Sequence, residues 1–75
     1  MPIEKSLARP VQTCHPGDTL AQVAQKMSEH DVGSVLVLAD DGRVMSVITD
    51  LDVAISASIE GRKLIDLTVR EAISR

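Results

Sequence analysis

The residues best suited to chemistry in this sequence are a hydroxyl and two carboxylates at one junction. Thr49, Asp50 and Asp52 directly follow residues 44–48, a β-branched and aliphatic run typical of a strand, and they open a helical pattern. Free backbone N–H groups and the helix dipole favour a phosphate or another anion at such a helix start. Carboxylates there cap the helix or hold sugar hydroxyls. The junction is therefore the candidate functional site.

Thr49 and Asp52 also have the spacing of an N-cap residue and the third helical residue. A capping box of this kind stabilises a helix by about 1 kcal/mol and needs no ligand. The two roles do not exclude one another, since a self-capped site can be opened by a ligand. Asp50 is predicted to be a solvent-exposed first-turn carboxylate, which the helix dipole favours.

The size of the chain limits how much core it can bury. Its 75 residues form one small domain at most, and a chain of this length buries only about 60% of its unfolded surface. The single cysteine, Cys14, excludes an internal disulfide and fits a reducing, cytoplasmic compartment. Pairing with a second module is therefore expected.

Charge and composition argue against several classes of function. The formal charge of −3 argues against a nucleic-acid partner, because affinity for a phosphate backbone depends on clustered Lys and Arg. Aromatic residues are absent, so a bound base must be held by aliphatic side chains and backbone rather than by stacking. No membrane partner is expected either. The sequence has no apolar run near the roughly 20 residues that cross a bilayer, and its opening residues lack the apolar core of a signal peptide.

The elements that must position the junction are predicted in the order β-α-β-β-α, a small α+β fold. Residues 11–14 form a short strand and residues 15–18 a turn. A helix follows as far as about His30, with Asp18 or Thr19 as its N-cap and with Thr19 and Gln22 spaced as a capping box. Its apolar face, at i, i+3, i+4 and i+7, comprises Leu20, Val23, Ala24 and Met27.

Two strands and a second helix complete the predicted module. Residues 34–38 form an aliphatic strand expected to be buried on both faces, residues 40–42 a hairpin turn, and residues 43–48 the return strand. The second helix begins near Asp50 and has Gly61 as its C-cap. Its predicted inward face comprises Leu51, Ala54, Ile55, Ser58 and Ile59. On so small a domain, part of this hydrophobic stripe is expected to seal a partner.

The two ends of the chain resemble each other. Residues 68–71 form another capping box, which opens a short terminal helix. The tail TVREAISR is similar to the head PIEKSLAR, which suggests that the chain ends where a second copy begins. The expected organisation is an N-terminal arm or short helix at residues 1–9, one module at residues 10–66, and the start of a linker or second repeat at residues 67–75.

Neither a metal site nor an enzyme active site is predicted. The spacing of Cys14, His15 and His30 matches no common zinc pattern. Cys14 is expected to be a small apolar filler and His15 a turn residue. The sequence has no nucleophile–base arrangement and no phosphate-cradling glycine-rich loop. We therefore expect a binding module that requires no cofactor.

Several segments, in the same order and with the same gaps, resemble the CBS (cystathionine-β-synthase) domain family. They are the first strand with Thr13, residues 16–20, 27–32, 34–38 and 41–43, and above all residues 47–53, VITDLDV. The family motif at that last segment is a small residue, two apolar residues, Ser or Thr, two variable residues and Asp. The resemblance implies a module that pairs with a second one, in tandem or by homodimerisation, to form a Bateman module.

The resemblance also implies a regulatory, ligand-sensing function. Clefts between paired modules of this family hold adenosine-containing ligands such as AMP, ADP, ATP, NAD or S-adenosylmethionine. The motif threonine, here Thr49, approaches the phosphate, and the motif aspartate, here Asp52, holds the ribose hydroxyls. The base is expected beside residues 11–13 and 32–34. The full predicted nucleotide-binding set is Val11, Thr13, Val32, Gly33, Ser34, Ser46, Thr49, Asp50 and Asp52.

Two positions depart from the family pattern. Ser46 stands where the family most often has Gly, and its side chain narrows the cleft. Leu51 stands where many members have Arg or Lys. Losing that cation weakens polyphosphate binding, because a charge-assisted hydrogen bond contributes about 1.5–3 kcal/mol. The alternative hypothesis is therefore a structural self-association module that binds no nucleotide.

Overall fold

The computed structural model describes residues 11–74. Its elements follow the predicted order β-α-β-β-α, and a short 3-10 turn and a terminal helix come after them. The α+β fold class is therefore confirmed. The arm or short helix predicted at residues 1–9 lies outside the described residues, and the module boundaries at residues 10 and 66 stay predictions.

Within the described residues, three strands form one sheet in the order β1-β2-β3. These are β1 (Thr13–Cys14), β2 (Ser34–Leu38) and β3 (Val44–Thr49). β2 pairs parallel with β1 and antiparallel with β3. The hairpin turn contains Gly42 at φ 86°, a backbone conformation that glycine adopts without steric cost. The hairpin prediction is confirmed, and the return strand begins and ends one residue later than expected.

The described α-helices are α1 (Leu20–His30), α2 (Asp50–Glu60) and α3 (Val69–Ile73), with a 3-10 turn at Leu64–Asp66. Each α-helix opens with a capping box between a threonine and the third helical residue, as predicted. α2 ends at its predicted C-cap, Gly61, which has φ 62°. At no more than 11 residues each, none of these helices has the length to cross a membrane.

Backbone hydrogen bonds join the start of α3 to the start of α1. The Leu20 N–H donates to the Leu67 carbonyl at 2.8 Å, and the Val69 N–H donates to the Asp18 carbonyl at 2.9 Å. Leu67 and Val69 are fully buried in the core with Leu20. The described part of the tail therefore packs as part of the same hydrophobic core as α1.

The helices cover one face of the sheet. Cys14, Val35, Val37 and Ile48 point into the core, where each is at most 1% exposed. The other side, which we call the open face, carries Thr13, Ser34, Leu36, Val47 and Thr49. Residues paired across neighbouring strands point to the same face, and successive residues along a strand point to opposite faces. These five residues are paired with one another or adjacent to buried residues in their strand, so they share the face opposite the core. The expectation that residues 34–38 are buried on both faces is therefore wrong, because α1 and α2 pack on one side only.

The predicted inward face of α2 is also wrong. The side chains that α2 buries are Val53 and Ser56, which are 7% and 1% exposed. The predicted set of Leu51, Ala54, Ile55, Ser58 and Ile59 lies on the solvent side. Nearly every side of α2 carries apolar or small side chains. A 3.6-residue repeat of such side chains can therefore be found on more than one side, and it does not show which side packs against the sheet.

We expect the Cys14 thiol to react slowly in the folded chain. Burial raises the pKa of Cys14, and the nearby Asp18 carboxylate raises it further, while Lys26 lowers it. The reactive thiolate is therefore scarce, and the side chain is only 1% exposed.

At pH 8, alkylation of Cys14 should be at least about tenfold slower in the native chain than in urea. Ser28→Cys in a Cys14→Ser background, an exposed thiol on α1, is the control. Equal native and unfolded rates for Cys14 contradict the expectation.

We expect Glu71 to make folding stability depend on acid pH. The backbone N–H of Thr68, followed by the Arg62 guanidinium at 2.9 Å, lowers the pKa of Glu71. The unfolded chain therefore takes up this proton at a higher pH than the folded chain does. The stabilisation is complete above the ordinary carboxyl range, about pH 4, and is lost as the pH falls through the folded pKa.

Glu71→Gln tests this dependence, because the amide oxygen still accepts from Thr68 while the ionisation is gone. Urea unfolding between about pH 3 and pH 6 should give a flatter stability profile for this variant than for the parent chain. Arg62→Met is the matched control, because it removes the ion pair and keeps the larger contribution from Thr68. Identical profiles for Glu71→Gln and the parent contradict the assignment.

Candidate functional site

The predicted junction lies at one end of the sheet, where β3 passes into α2 without an intervening loop. Thr49 is the last residue of β3 and also the N-cap of α2, with extended backbone angles of φ −110° and ψ 166°. Ser34, the first residue of β2, lies directly opposite Thr49 in the antiparallel register. The end of β3 and the beginning of β2 therefore meet at the helix start.

Thr49 and Asp52 form the capping box that their spacing predicted. The Thr49 N–H and hydroxyl both donate to Oδ2 of Asp52, at 2.8 and 2.9 Å. The Asp52 N–H donates to the Thr49 Oγ1 at 3.2 Å. Both side chains are half-buried. The hydroxyl proton and the amide proton of Thr49 are therefore already committed to Asp52.

The second carboxylate oxygen of Asp52, Oδ1, takes no part in this capping box. Within residues 11–74, the hydrogen bonds of the Asp52 side chain go to Oδ2, and Oδ1 accepts none. An ionised carboxylate oxygen has two acceptor sites and favours hydroxyl donors. Asp52 can therefore cap α2 through one oxygen and accept ligand hydroxyls through the other. Capping and ligand binding are compatible at this residue.

Asp50 connects the helix start to the segment before β2. Its N–H donates to the Gly33 carbonyl at 3.0 Å, and a β-carbon on Gly33 would lie 3.6 Å from Oδ2 of Asp50. Val32 is half-buried against the core, while Gly33 and Ser34 are exposed. Asp50 is exposed, as predicted for a first-turn carboxylate. The structure therefore brings residues 32–34 and residues 49–52 together.

The predicted residues of the first strand lie farther across the sheet. Thr13 is registered with Leu36 on β2, so it stands two strand spacings, about 10 Å, from β3. Both Thr13 and Thr49 belong to the open face. Val11 precedes β1 and is 71% exposed. Val11 and Thr13 therefore lie on the β1 side of the sheet, and β2 separates β1 from β3 and the helix start.

Ser46 is separated from the other predicted residues. It is registered with Val37, which is fully buried on the helix-covered face, and Ser46 itself is half-buried. Strand residues three apart point to opposite faces of a sheet, so Ser46 points away from the face of Thr49. In this structure, its side chain does not narrow the space beside Thr49.

Lys26 contacts Thr13, one of the predicted site residues, although no sequence pattern indicates this contact. Its half-buried side chain extends from α1, and its Nζ donates to the backbone carbonyl of Thr13. Lys and Arg commonly bury their aliphatic stems in this way and leave the charged group at a polar partner. The sequence carries no local signal for the contact, because α1 and β1 meet only in the folded chain.

The three residues considered for a metal site differ in exposure. Cys14 is buried at the end of β1, His15 is exposed in the turn after it, and His30 is exposed at the end of α1. In the part of the chain that the structure describes, no three His, Cys, Asp or Glu side chains are grouped to hold a metal ion.

The sequence model of the CBS domain matches residues 5–57. The chain belongs to the CBS-domain family. An uncharacterized protein of Methanopyrus kandleri is 30% identical over 67 residues, which are 89% of this chain and 34% of that protein. The solved CBS-domain containing protein of Agrobacterium tumefaciens is 25% identical, with a TM-score of 0.79 over 91% of this chain and 51% of that one.

The CBS domain protein of Pyrobaculum aerophilum, solved complexed with AMP, has the same fold. It is 22% identical, with a TM-score of 0.73 over 96% of this chain and 55% of that one. This chain therefore spans about a third of the first curated relative and about half of each of these solved relatives.

Separate substitutions should distinguish capping from binding. Thr49→Ala removes the cap of α2 and should lower the free energy of unfolding by about 1 kcal/mol. Thr19→Ala removes the equivalent cap of α1 and is the matched control, with a loss of similar size. Asp52→Asn keeps an oxygen acceptor for the Thr49 N–H, so it should cost less than Thr49→Ala. Urea unfolding measures all three. A neutral Thr49→Ala contradicts the capping geometry.

Proposed function

We propose that this CBS module senses an adenosine-containing nucleotide at the junction of β3 and α2. The observation that carries the proposal is the unequal use of the two Asp52 oxygens. Oδ2 caps the helix, and Oδ1 of the half-buried Asp52 side chain, which accepts no hydrogen bond within residues 11–74, is available for a pair of ribose hydroxyls. A site that offers hydrogen-bond acceptors but no nucleophile–base arrangement favours binding and regulation over catalysis.

The proposed place for the base is the segment of residues 32–34, with Val11 and Thr13 at its far side. The chain has no aromatic residue, so aliphatic side chains and exposed backbone must hold the base. Gly33 favours this position because it is exposed and carries no side chain. Asp50 places its Oδ2 3.6 Å from the position that a β-carbon on Gly33 would take, and this carboxylate is an acceptor for the exocyclic amino group of adenine.

The phosphate is expected to contribute less affinity than the nucleoside. The Thr49 hydroxyl donates its proton to Asp52, so a phosphate oxygen must compete with that carboxylate for it. The next residue after Asp50 is the exposed Leu51, which supplies no positive charge. AMP and ATP should therefore bind with similar affinity. The AMP complex of the P. aerophilum protein is consistent with recognition of a monophosphate on this fold.

A second CBS module is the proposed partner that completes the cleft. The open face carries the aliphatic side chains of Leu36 and Val47 beside Thr13, Ser34 and Thr49, and Val47 is 47% exposed. A module placed over this face covers the aliphatic residues and forms the opposite wall of the site. A ligand that contacts both modules stabilises the paired state, because binding favours the state with which the ligand makes more contacts. This shift of the equilibrium towards the paired state is the proposed regulatory signal.

A self-association module that binds no nucleotide is the second candidate. The observation that favours it is the complete capping box, in which Thr49 satisfies Asp52 without a ligand. Leu51 also favours this candidate, because it supplies no positive charge for a phosphate. Under this hypothesis, Asp52 matters only for the stability of α2, and the module pairs equally well with or without nucleotide.

Isothermal titration of the 75-residue chain with AMP, ATP, NAD and S-adenosylmethionine tests the proposal. We expect heat from at least one ligand and a loss of about tenfold or more in affinity with its 2′-deoxy counterpart, which removes one hydroxyl partner of Asp52. Asp52→Asn should lose the binding and keep the fold, because the amide cannot accept two further hydroxyls. Thr19→Ala, which weakens a cap far from the site, should bind as the parent does.

The competing outcomes are distinct. No heat from any ligand, at concentrations where the chain self-associates, overturns the sensing function and leaves the structural module. Undiminished binding by Asp52→Asn overturns the assignment of the ribose to Asp52. A ligand-induced rise in melting temperature that the variant lacks supports the proposal independently of calorimetry.

A further inference from the structure

A cavity lies at the end of the sheet opposite the candidate site. Its volume is about 430 Å³, within the range of about 300–1,000 Å³ that is usual for small-molecule sites. The turn after β1, the hairpin between β2 and β3, and α3 all contribute to its lining, which comprises residues 15–17, Ala39, Asp40, Met45 and Arg70. Segments distant in sequence therefore form this cavity together.

The length of β2 separates the cavity from the start of α2. Ser34 pairs with Thr49 at one end of β2, and Leu38 pairs with Val44 at the other end. These two ends are four strand residues, or about 13 Å, apart. A ligand in the cavity therefore leaves the candidate nucleotide site free, and the inference below does not rest on the proposed function.

Backbone hydrogen bonds fix the walls of the cavity. The turn of residues 15–18 is closed by two hydrogen bonds between its first and last residues, at 2.9 and 3.0 Å. The Ala39 N–H donates to the Arg43 carbonyl at 2.8 Å and closes the hairpin. The Arg70 N–H donates to the Pro16 carbonyl at 2.9 Å and joins α3 to the turn. Because the walls are already ordered, a ligand loses less free energy to conformational entropy when it binds.

Asp40 and Arg70 bring opposite charges to the cavity. Within residues 11–74, neither side chain has an ion-pair partner, and the two do not pair with each other. The residues that follow them in sequence, Asp41 and Glu71, are paired with arginines at 3.5 and 2.9 Å. A carboxylate and a guanidinium of the cavity lining are therefore available to a ligand.

This pair of charges restricts the class of ligand. A guanidinium binds a carboxylate through two parallel hydrogen bonds, and a carboxylate accepts hydrogen bonds from an ammonium group. A simple anion is repelled by Asp40, and a simple cation is repelled by Arg70. A zwitterion satisfies both residues. The buried Pro16 and the 51% exposed Met45 add apolar lining, and the thioether of methionine adapts to aliphatic groups of different shapes.

We propose that this cavity binds a free α-amino acid with an aliphatic side chain. Arg70 holds the carboxylate of the ligand, Asp40 holds its ammonium group, and Met45 contacts its side chain. Both charged residues are exposed, so each ion pair is weakened by water, and the expected dissociation constant is of the order of 1 mM. The cavity then gives the module a ligand that is chemically unrelated to a nucleotide.

Titration of the isotope-labelled 75-residue chain with L-leucine and L-methionine, followed by amide chemical shifts, tests the proposal. At about pH 6.5 both amino acids are zwitterions. Up to about 20 mM, the shifts should saturate and be largest at residues 15–17, Asp40 and Arg70. L-leucinamide lacks the carboxylate, and N-acetyl-L-leucine lacks the ammonium group. Each should bind at least about fivefold more weakly than L-leucine at equal ionic strength.

Substitutions assign each charge of the ligand to its residue. Arg70→Met and Asp40→Asn should each weaken binding of L-leucine at least about fivefold. Arg70→Met should not weaken binding of L-leucinamide, and Asp40→Asn should not weaken binding of N-acetyl-L-leucine, because the partner group is already missing from those ligands. Arg43→Met and Asp41→Asn, at exposed positions outside the cavity lining, are the matched controls and should bind as the parent does. Circular dichroism verifies that all four variants fold.

Several results would overturn the proposal. They are the absence of saturable shifts at the cavity with either amino acid, shifts centred on residues 32–34 and 49–52 instead, and an equal loss for every ligand in Arg70→Met. Inorganic phosphate is the probe for a simple anion site. Phosphate that binds the cavity as tightly as L-leucine also overturns the assignment to a zwitterion. Failure of AMP to bind has no bearing on this result, because the cavity and the candidate nucleotide site share no residue.

Discussion

The hydrogen bonds between Thr49 and Asp52 are the interaction on which the arrangement of this module depends. They begin α2 at the last residue of β3, so the helix leaves the sheet with no loop to relax its direction. A helix attached this way has its rotation set within its first turn. Val53 and Ser56 then turn inward, Leu51, Ile55 and Ile59 turn outward, and Asp52 lies in the first turn of the helix. The packing of α2 on the core, its exposed aliphatic side and the candidate site therefore have a common origin.

Much of the fold could be predicted because its signals are local. Threonine followed three residues later by Gln, Asp or Glu marks the beginning of each α-helix. A glycine marks the hairpin turn and the end of α2. Capping and turn formation involve residues close in sequence, so their energetics do not depend on distant parts of the chain. The two carboxylates at the helix start were found for the same reason.

The features that the sequence did not predict correctly all depend on contacts between distant residues. The inward side of α2 is decided by the fit of Val53 and Ser56 against the core, and small residues such as Ser56 give a weak periodic signal. The side of the sheet that stays open depends on both helices packing on the other side. Ser46 resembles a site residue by motif position, yet the strand alternation and its register with Val37 place it on the opposite face from Thr49. Motif spacing alone does not show which face a strand residue takes.

The contact of Lys26 with the Thr13 carbonyl affects how the sheet can grow. That carbonyl lies on the outer edge of β1, where a strand from another molecule would otherwise add by backbone hydrogen bonding. With the ammonium group bound there, strand addition must first displace a charged donor. Growth of fibrils from the β1 edge is therefore disfavoured. Side-chain faces related by symmetry give assemblies that close at a defined number of subunits, whereas open sheet edges give polymers.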